Sequence, residues 1–182
     1  MKLEIVIGMV LFVVILVLII FRQYNTLIHL KMKVKQSKSG IDIYCQQRFD
    51  LIPNIIETVR GYMEHEKNIF DSITELRTQY NLNKDVKLCQ KLEKQINGVI
   101  AIAESYPDLK SSEQFINLQK NLEKTESQLQ AARRIYNNDV TNYNTKISMI
   151  PHNIIATIFG FKSEPLFELE DENISNNVSV KL

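Results

Sequence analysis

The sequence has no tryptophan, two cysteines, three histidines, four prolines and five glycines in 182 residues. Each shortage excludes something. Glycine and proline together reach about 5% where ordinary usage is roughly 12%, so collagen-like, low-complexity and turn-rich all-β architectures fall away. Cys45 and Cys89 stand apart with no C-x-x-C, and they support neither a disulfide scaffold nor a zinc site. The glycines are scattered singly, so there is no phosphate-cradling loop. The G-x-S-x-G elbow and Cys–His nucleophile signatures are missing as well. No sign of charge dominates, because 22 basic side chains face 21 acidic ones. Nucleic-acid binders instead concentrate positive charge against phosphates.

What the chain does have is one unbroken apolar run. Ile5 to Phe21 reads IVIGMVLFVVILVLIIF, 17 residues without a charge or a polar side chain. As a helix it extends about 25 Å, and Leu3 with a snorkelling Arg22 brings it to the ~30 Å of a hydrocarbon core. The remainder is about two-fifths apolar, a soluble and amphipathic composition. A cleaved signal peptide has a shorter apolar region and a small-residue cleavage site. Here the run ends in Phe21-Arg22-Gln23-Tyr24, with no such site. A lipoprotein needs a cysteine just after it, and the first is Cys45. A buried core helix would keep a polar side for water, and this segment has none. The run is therefore expected to be a transmembrane anchor over 1–22. Arg22, Lys31, Lys33, Lys35 and Lys38 outweigh Lys2 on the other flank, which predicts a cytoplasmic bulk domain. Those residues also have an alternative reading, as the solvated face of a helix.

Beyond the anchor, helical spacing dominates. Ile52, Ile55, Val59, Tyr62, Glu66, Ile69, Ile73, Leu76 and Tyr80 alternate steps of three and four. Phe115, Leu118, Leu122, Thr125, Leu129, Ala132 and Tyr136 do the same, and an extra four-residue step continues to Val140, Tyr143, Ile147 and Ile150. These stripes predict two long bundle helices, and Leu92, Ile96, Val99, Ile100 and Ala103 predict a third between them. Asn83 is the expected N-cap of the helix over 84–105. Ser111 with Gln114 suggests a capping box opening a helix of about forty residues. Pro53 predicts a kink in the first long helix or a fresh start, and Pro151 an ending or a short new helix. After Phe161 the chain turns acidic and polar, so 163–182 is expected to be a flexible tail.

The segments around Pro53 carry a resemblance. Tyr24-Asn25-Thr26-Leu27-Ile28 is followed by Ser39-Gly40-Ile41-Asp42-Ile43. Next come Gln47-Arg48-Phe49-Asp50-Leu51-Ile52-Pro53-Asn54-Ile55-Ile56 and Gly61-Tyr62-Met63-Glu64-His65-Glu66. Further on stand Ala132-Arg133-Arg134-Ile135-Tyr136-Asn137, Tyr143-Asn144, Ile154-Ile155-Ala156 and Phe159-Gly160-Phe161-Lys162. In this order and spacing they resemble the bacterial LemA family over nearly the whole chain up to about Phe167. One departure is Ser37, where the family often has alanine. The resemblance implies a membrane-anchored antiparallel helical bundle without established enzymatic activity or agreed catalytic residues. A relative serves in magnetosome formation, which links the family to membrane organisation.

Several residues invite a chemical reading. Glu64, His65 and Glu66 form the most ligand-like cluster, but a helical zinc site wants a second histidine one turn on, and that position is Ile69. His29 and His152 lie far off. Arg48, Asp50 and Glu57, and Arg133, Arg134 and Asp139, suit interhelical ion pairs better than a cleft. Cys45 and Cys89 are expected to be small buried residues, and Tyr62, Tyr136 and Tyr143 to be core. Phe159, Phe161 and Phe167 suggest a cap over one end of the bundle, or alternatively a partner-docking or membrane-touching segment. The expectation is an all-α protein: a transmembrane helix, an antiparallel bundle of long helices over 23–162, and the tail. It is expected to act as a non-enzymatic membrane scaffold or interaction protein without cofactor, nucleic acid or small-molecule substrate. Its partners are the lipid bilayer, and a protein partner or second copy at the bundle. The rival is a membrane-tethered metal-dependent sensor or enzyme using Glu64, His65 and Glu66.

Overall fold

A computed structural model describes residues 2–62 and 66–167. Every regular element among them is a helix: α1 Lys2–Asp50, α2 Ile52–Arg60, α3 Lys67–Asn83, α4 Val86–Ala103, α5 Pro107–Lys110, α6 Glu113–Ser148 and α7 His152–Phe159. The protein is all-α, a long apolar N-terminal helix followed by helices that pack together. Two compact units can be told apart. One comprises the residues up to Gly40 together with Ala131–Leu166, the other Ile41–Gln130.

The helix breaks follow from local chemistry. Pro53 has no N–H to offer the carbonyl four residues back, so the ladder of α1 closes early, with Leu51 N–H on the Arg48 carbonyl at 3.2 Å. It resumes when Ile55 N–H bonds the Leu51 carbonyl at 3.0 Å, so Pro53 stands in the first turn of a fresh helix. The stripe from Ile52 to Tyr80 does not form the single helix its spacing predicts. Helix α2 stops at Arg60, Tyr62 N–H closes back on the Val59 carbonyl, and α3 begins at Lys67. Gly61, a poor helix former, caps α2. The polar stripe member Glu66 is the residue before α3.

Two caps move slightly from their expected places. Asn83 closes α3, and Asp85 caps α4, its carboxylate accepting from Lys87 N–H at 2.9 Å. Ser112, not Ser111, caps α6, its hydroxyl accepting from Phe115 N–H at 3.3 Å. Between α3 and α4, Lys84 turns the chain in the left-handed region (φ 50°).

In the unit over Ile41–Gln130 the stripes meet as buried faces. Ile41, Cys45 and Phe49 of α1 are buried, as are Ile52, Ile55 and Val59 of α2. So are Ile73 and Tyr80 of α3, Leu92, Ile96 and Val99 of α4, and Phe115, Leu122 and Leu129 of α6. Phe49 and Tyr80 stack with ring centroids 4.0 Å apart, and the Tyr80 hydroxyl donates to the Asp42 carbonyl at 3.2 Å.

The other unit has a smaller core of Leu27 from α1 with Ile155 and Ala156 from α7, joined by Ile20, Tyr24, Ile147 and Phe161. Gly160 (φ 71°) reverses the chain at the end of α7, and Phe161 N–H bonds the Ala156 carbonyl at 2.9 Å. This left-handed cap needs no Cβ, so glycine suits it. It turns Phe161 back onto Ala156. The chain then runs along α6: Tyr143 and Tyr136 donate to the Lys162 and Pro165 carbonyls, and the Asn144 amide both donates to and accepts from the Glu164 backbone. Burial, and then the Glu164 carboxylate, push both phenols above their usual pKa, which keeps them protonated as donors. Of the tail expected over 163–182, residues 168–182 lie outside the described residues.

Candidate functional site

The most distinctive feature is the first part of α1. Its side chains from Leu3 to Ile19 are exposed, Leu3 at 72% and Val17 at 41%. Apart from Glu4, Gly8 and Phe12 they are large aliphatics, and none of them is buried by the described residues. By length and composition this helix can cross a membrane. The apolar surface ends at Arg22, and Lys31, Lys33, Lys35 and Lys38 follow, all exposed.

Where the apolar run ends, aromatic residues gather. The Tyr24 ring lies 4.8 Å from Phe159 and 5.7 Å from Phe161, centroid to centroid. Lys31 Nζ stands 5.9 Å from the Phe161 centroid, within cation–π range. Phe161 is half-buried in the small core, Phe159 is 52% exposed, and Phe167 is half-buried.

The second constellation is buried and electrostatic. Arg48, 2% exposed, forms an ion pair with Glu126 of α6 and lies 3.7 Å from Glu93 of α4. An arginine suits the place because its planar fork can serve two carboxylates at once. The sequence pointed to Arg48 but not to its partners. Asp50 instead accepts from Gln46 on its own helix, and Glu57 is exposed. Glu93 and Glu126 each follow a residue of a buried stripe, Leu92 and Thr125, and that adjacency was the available signal. Arg133 is buried, Asp139 half-buried and Arg134 exposed.

Of the ligand-like cluster, Glu64 and His65 lie outside the described residues, and Glu66 is half-buried. No group of three or more metal-ligating side chains occurs among the described residues. Cys45 and Cys89 are buried, as is Tyr136, whereas Tyr62 is exposed and faces a polar cleft instead of the core. That cleft, about 570 Å³, is also lined by Asn54, Asn117 and Asn121. A larger one of about 1080 Å³ lies along α2 and α3, with Glu57, Arg60, Lys67, Asp71 and Arg77 among its lining. Its charges are of mixed sign, and its described lining has no cysteine or histidine.

Comparison with known proteins adds the following. The family model described as "LemA family" matches residues 37–182, a region that begins beyond the apolar run. A magnetosome protein of Paramagnetospirillum magneticum, MamQ 2, is 23% identical over 87% of this chain and 70% of its own length. A protein LemA of Metamycoplasma hominis is 23% identical over 81% of this chain and 69% of its own length.

Proposed function

Because the chain belongs to the LemA family, a family of membrane-associated proteins, we propose that it is a single-pass membrane protein whose helical domain is a non-enzymatic interaction module. The domain stands on the cytoplasmic side, held there by the basic flank of the anchor. One observation carries the reading: an exposed apolar helical stretch from Ile5 to Ile19 gives way to a packed helical domain. Exposed aliphatic surface of this extent is stable only in lipid or against another protein. The buried charge of Arg48 ties α1 to α6 instead of facing a cleft. The likeness to a protein named for the magnetosome favours a part in organising a membrane. The domain's partner is another protein or a second copy of the chain.

Crosslinking the full chain in its native membrane tests this, using lysine-reactive reagents of several spacer lengths. A discrete higher-mass adduct is expected, and its partner can be read by mass spectrometry. Monomer alone at every spacer length would count decisively against an interaction module.

A further inference from the structure

We propose that the outer face of α7 is a second membrane contact, lying in the headgroup layer of the bilayer that α1 crosses and favouring anionic lipid. It rests on the spanning role of α1 given above. Helix α7 is apolar on both sides. Ile155 and Ala156 are buried, while Ile154 and Ile158, one turn apart, are 56% and 68% exposed. Met149 and Ile150, just before it, are 52% and 80% exposed.

The occupant of that face follows from where α7 is attached. Its core partners on α1 are Ile20, Tyr24 and Leu27. Ile20 belongs to the apolar run. At 1.5 Å per residue, Tyr24 and Leu27 stand about 5 and 9 Å beyond Phe21. The headgroup region of one leaflet is about 5–8 Å thick. A helix packed on those three residues is therefore at the membrane surface whenever the run is in the hydrocarbon. Tyr24 and the two phenylalanines sit at the depth where aromatic residues concentrate. The charge beside them is positive: Arg22, two residues from Tyr24, and Lys162, next to Phe161, are exposed, and Lys31 stands over the Phe161 ring. Basic residues beside an apolar face attract anionic headgroups.

The test uses the full chain in nanodiscs of phosphatidylglycerol and phosphatidylcholine, spin-labelled at one introduced cysteine per variant: Val13→Cys, Ile158→Cys or Lys120→Cys. Cys45 and Cys89 are buried, and the unsubstituted chain measures any background labelling. Oxygen partitions into lipid, whereas a nickel chelate stays in water. Val13 should meet oxygen and exclude the chelate, and Lys120 the reverse. For Ile158 the oxygen-to-chelate ratio should be several-fold above that of Lys120, and it should fall in nanodiscs of phosphatidylcholine alone. A ratio at Ile158 equal to that at Lys120, with Val13 in lipid, would overturn the α7 contact and leave the anchor standing. Chelate access at Val13 would overturn both. Exclusion of both reagents at Ile158 means protein covers the face and overturns the proposal, dipolar broadening identifying a second copy. A ratio indifferent to phosphatidylglycerol removes the preference for anionic lipid.

Discussion

Arg48 is a cation closed inside a helical core, where its worth lies less in attraction than in what its loss would strand. Glu93 and Glu126 retain 30% and 22% of their side-chain exposure, so water can partly replace the guanidinium. Arg48→Ala should lower unfolding free energy by about 1.5–3 kcal/mol, the range for hydrogen bonds to charged groups. Urea unfolding of the full chain in detergent would measure it. Arg48→Lys should restore only part, because one ammonium cannot present the planar fork. The arginine was legible in the sequence, but its partners were not. Glu126 stands 78 residues away, and no local spacing links it to Arg48. His152 was passed over as a residue remote from the other histidines. It is buried, and its Nδ1 has no hydrogen-bond partner among the described residues. Burial, and then Lys146, lower its pKa below the ordinary 6.5. The unfolded chain therefore takes up a proton near 6.5 while the folded one resists. His152 contributes stability above that pH, and the contribution is lost as pH falls below about 6.5. Unfolding midpoints between about pH 7.5 and 5.5 should drop, and His152→Gln should flatten the decline. An equal slope in the variant would assign the effect to other groups.

Among the helices, the sequence was most readable where packing and period agree. The stripe from Phe115 to Tyr143 is one continuous helix, and all its members are buried except half-buried Thr125. It was least readable where a stripe continues but the backbone does not. Val59 and Ile69 keep the spacing across Gly61 and Glu66, and apolar period alone cannot show that the hydrogen-bond ladder between them has stopped. Caps slipped by one or two positions because neighbouring residues, Ser111 and Ser112 or Asn83 and Asp85, offer the same side-chain acceptor. Helix α4 carries a glycine in its interior that no turn requires. A Cβ added at Gly98 would lie 3.5 Å from Ile69 Cδ1 on α3, an ordinary contact. Gly98→Ala should therefore stabilise the protein by about 0.5–1 kcal/mol through helix propensity and a less free unfolded chain. A melting temperature below that of the unsubstituted chain would show that α3 cannot yield even that space.

For the molecule as a whole, orientation decides which partners can be reached. With the basic flank inside, a cysteine at exposed Lys120 should react with a membrane-impermeant maleimide only after cells are permeabilised. Labelling in sealed cells would put the helical domain outside. The long apolar helix could be read from composition alone, since seventeen residues without a polar side chain leave it no face for water. The placement of α7 could not, because its contacts with α1 join residues far apart in the chain. The same separation sets an order in time. Leu27 leaves the ribosome about 130 residues before Ile155 and Ala156, an interval of roughly 6–26 s at the usual rate of synthesis. Through that interval Ile20, Tyr24 and Leu27 have no α7 to cover them. With α1 as the anchor proposed above, the bilayer receives it first, and the last-made stretch of the unit, α7 with the extended segment bonded along α6, closes over a helix already in place.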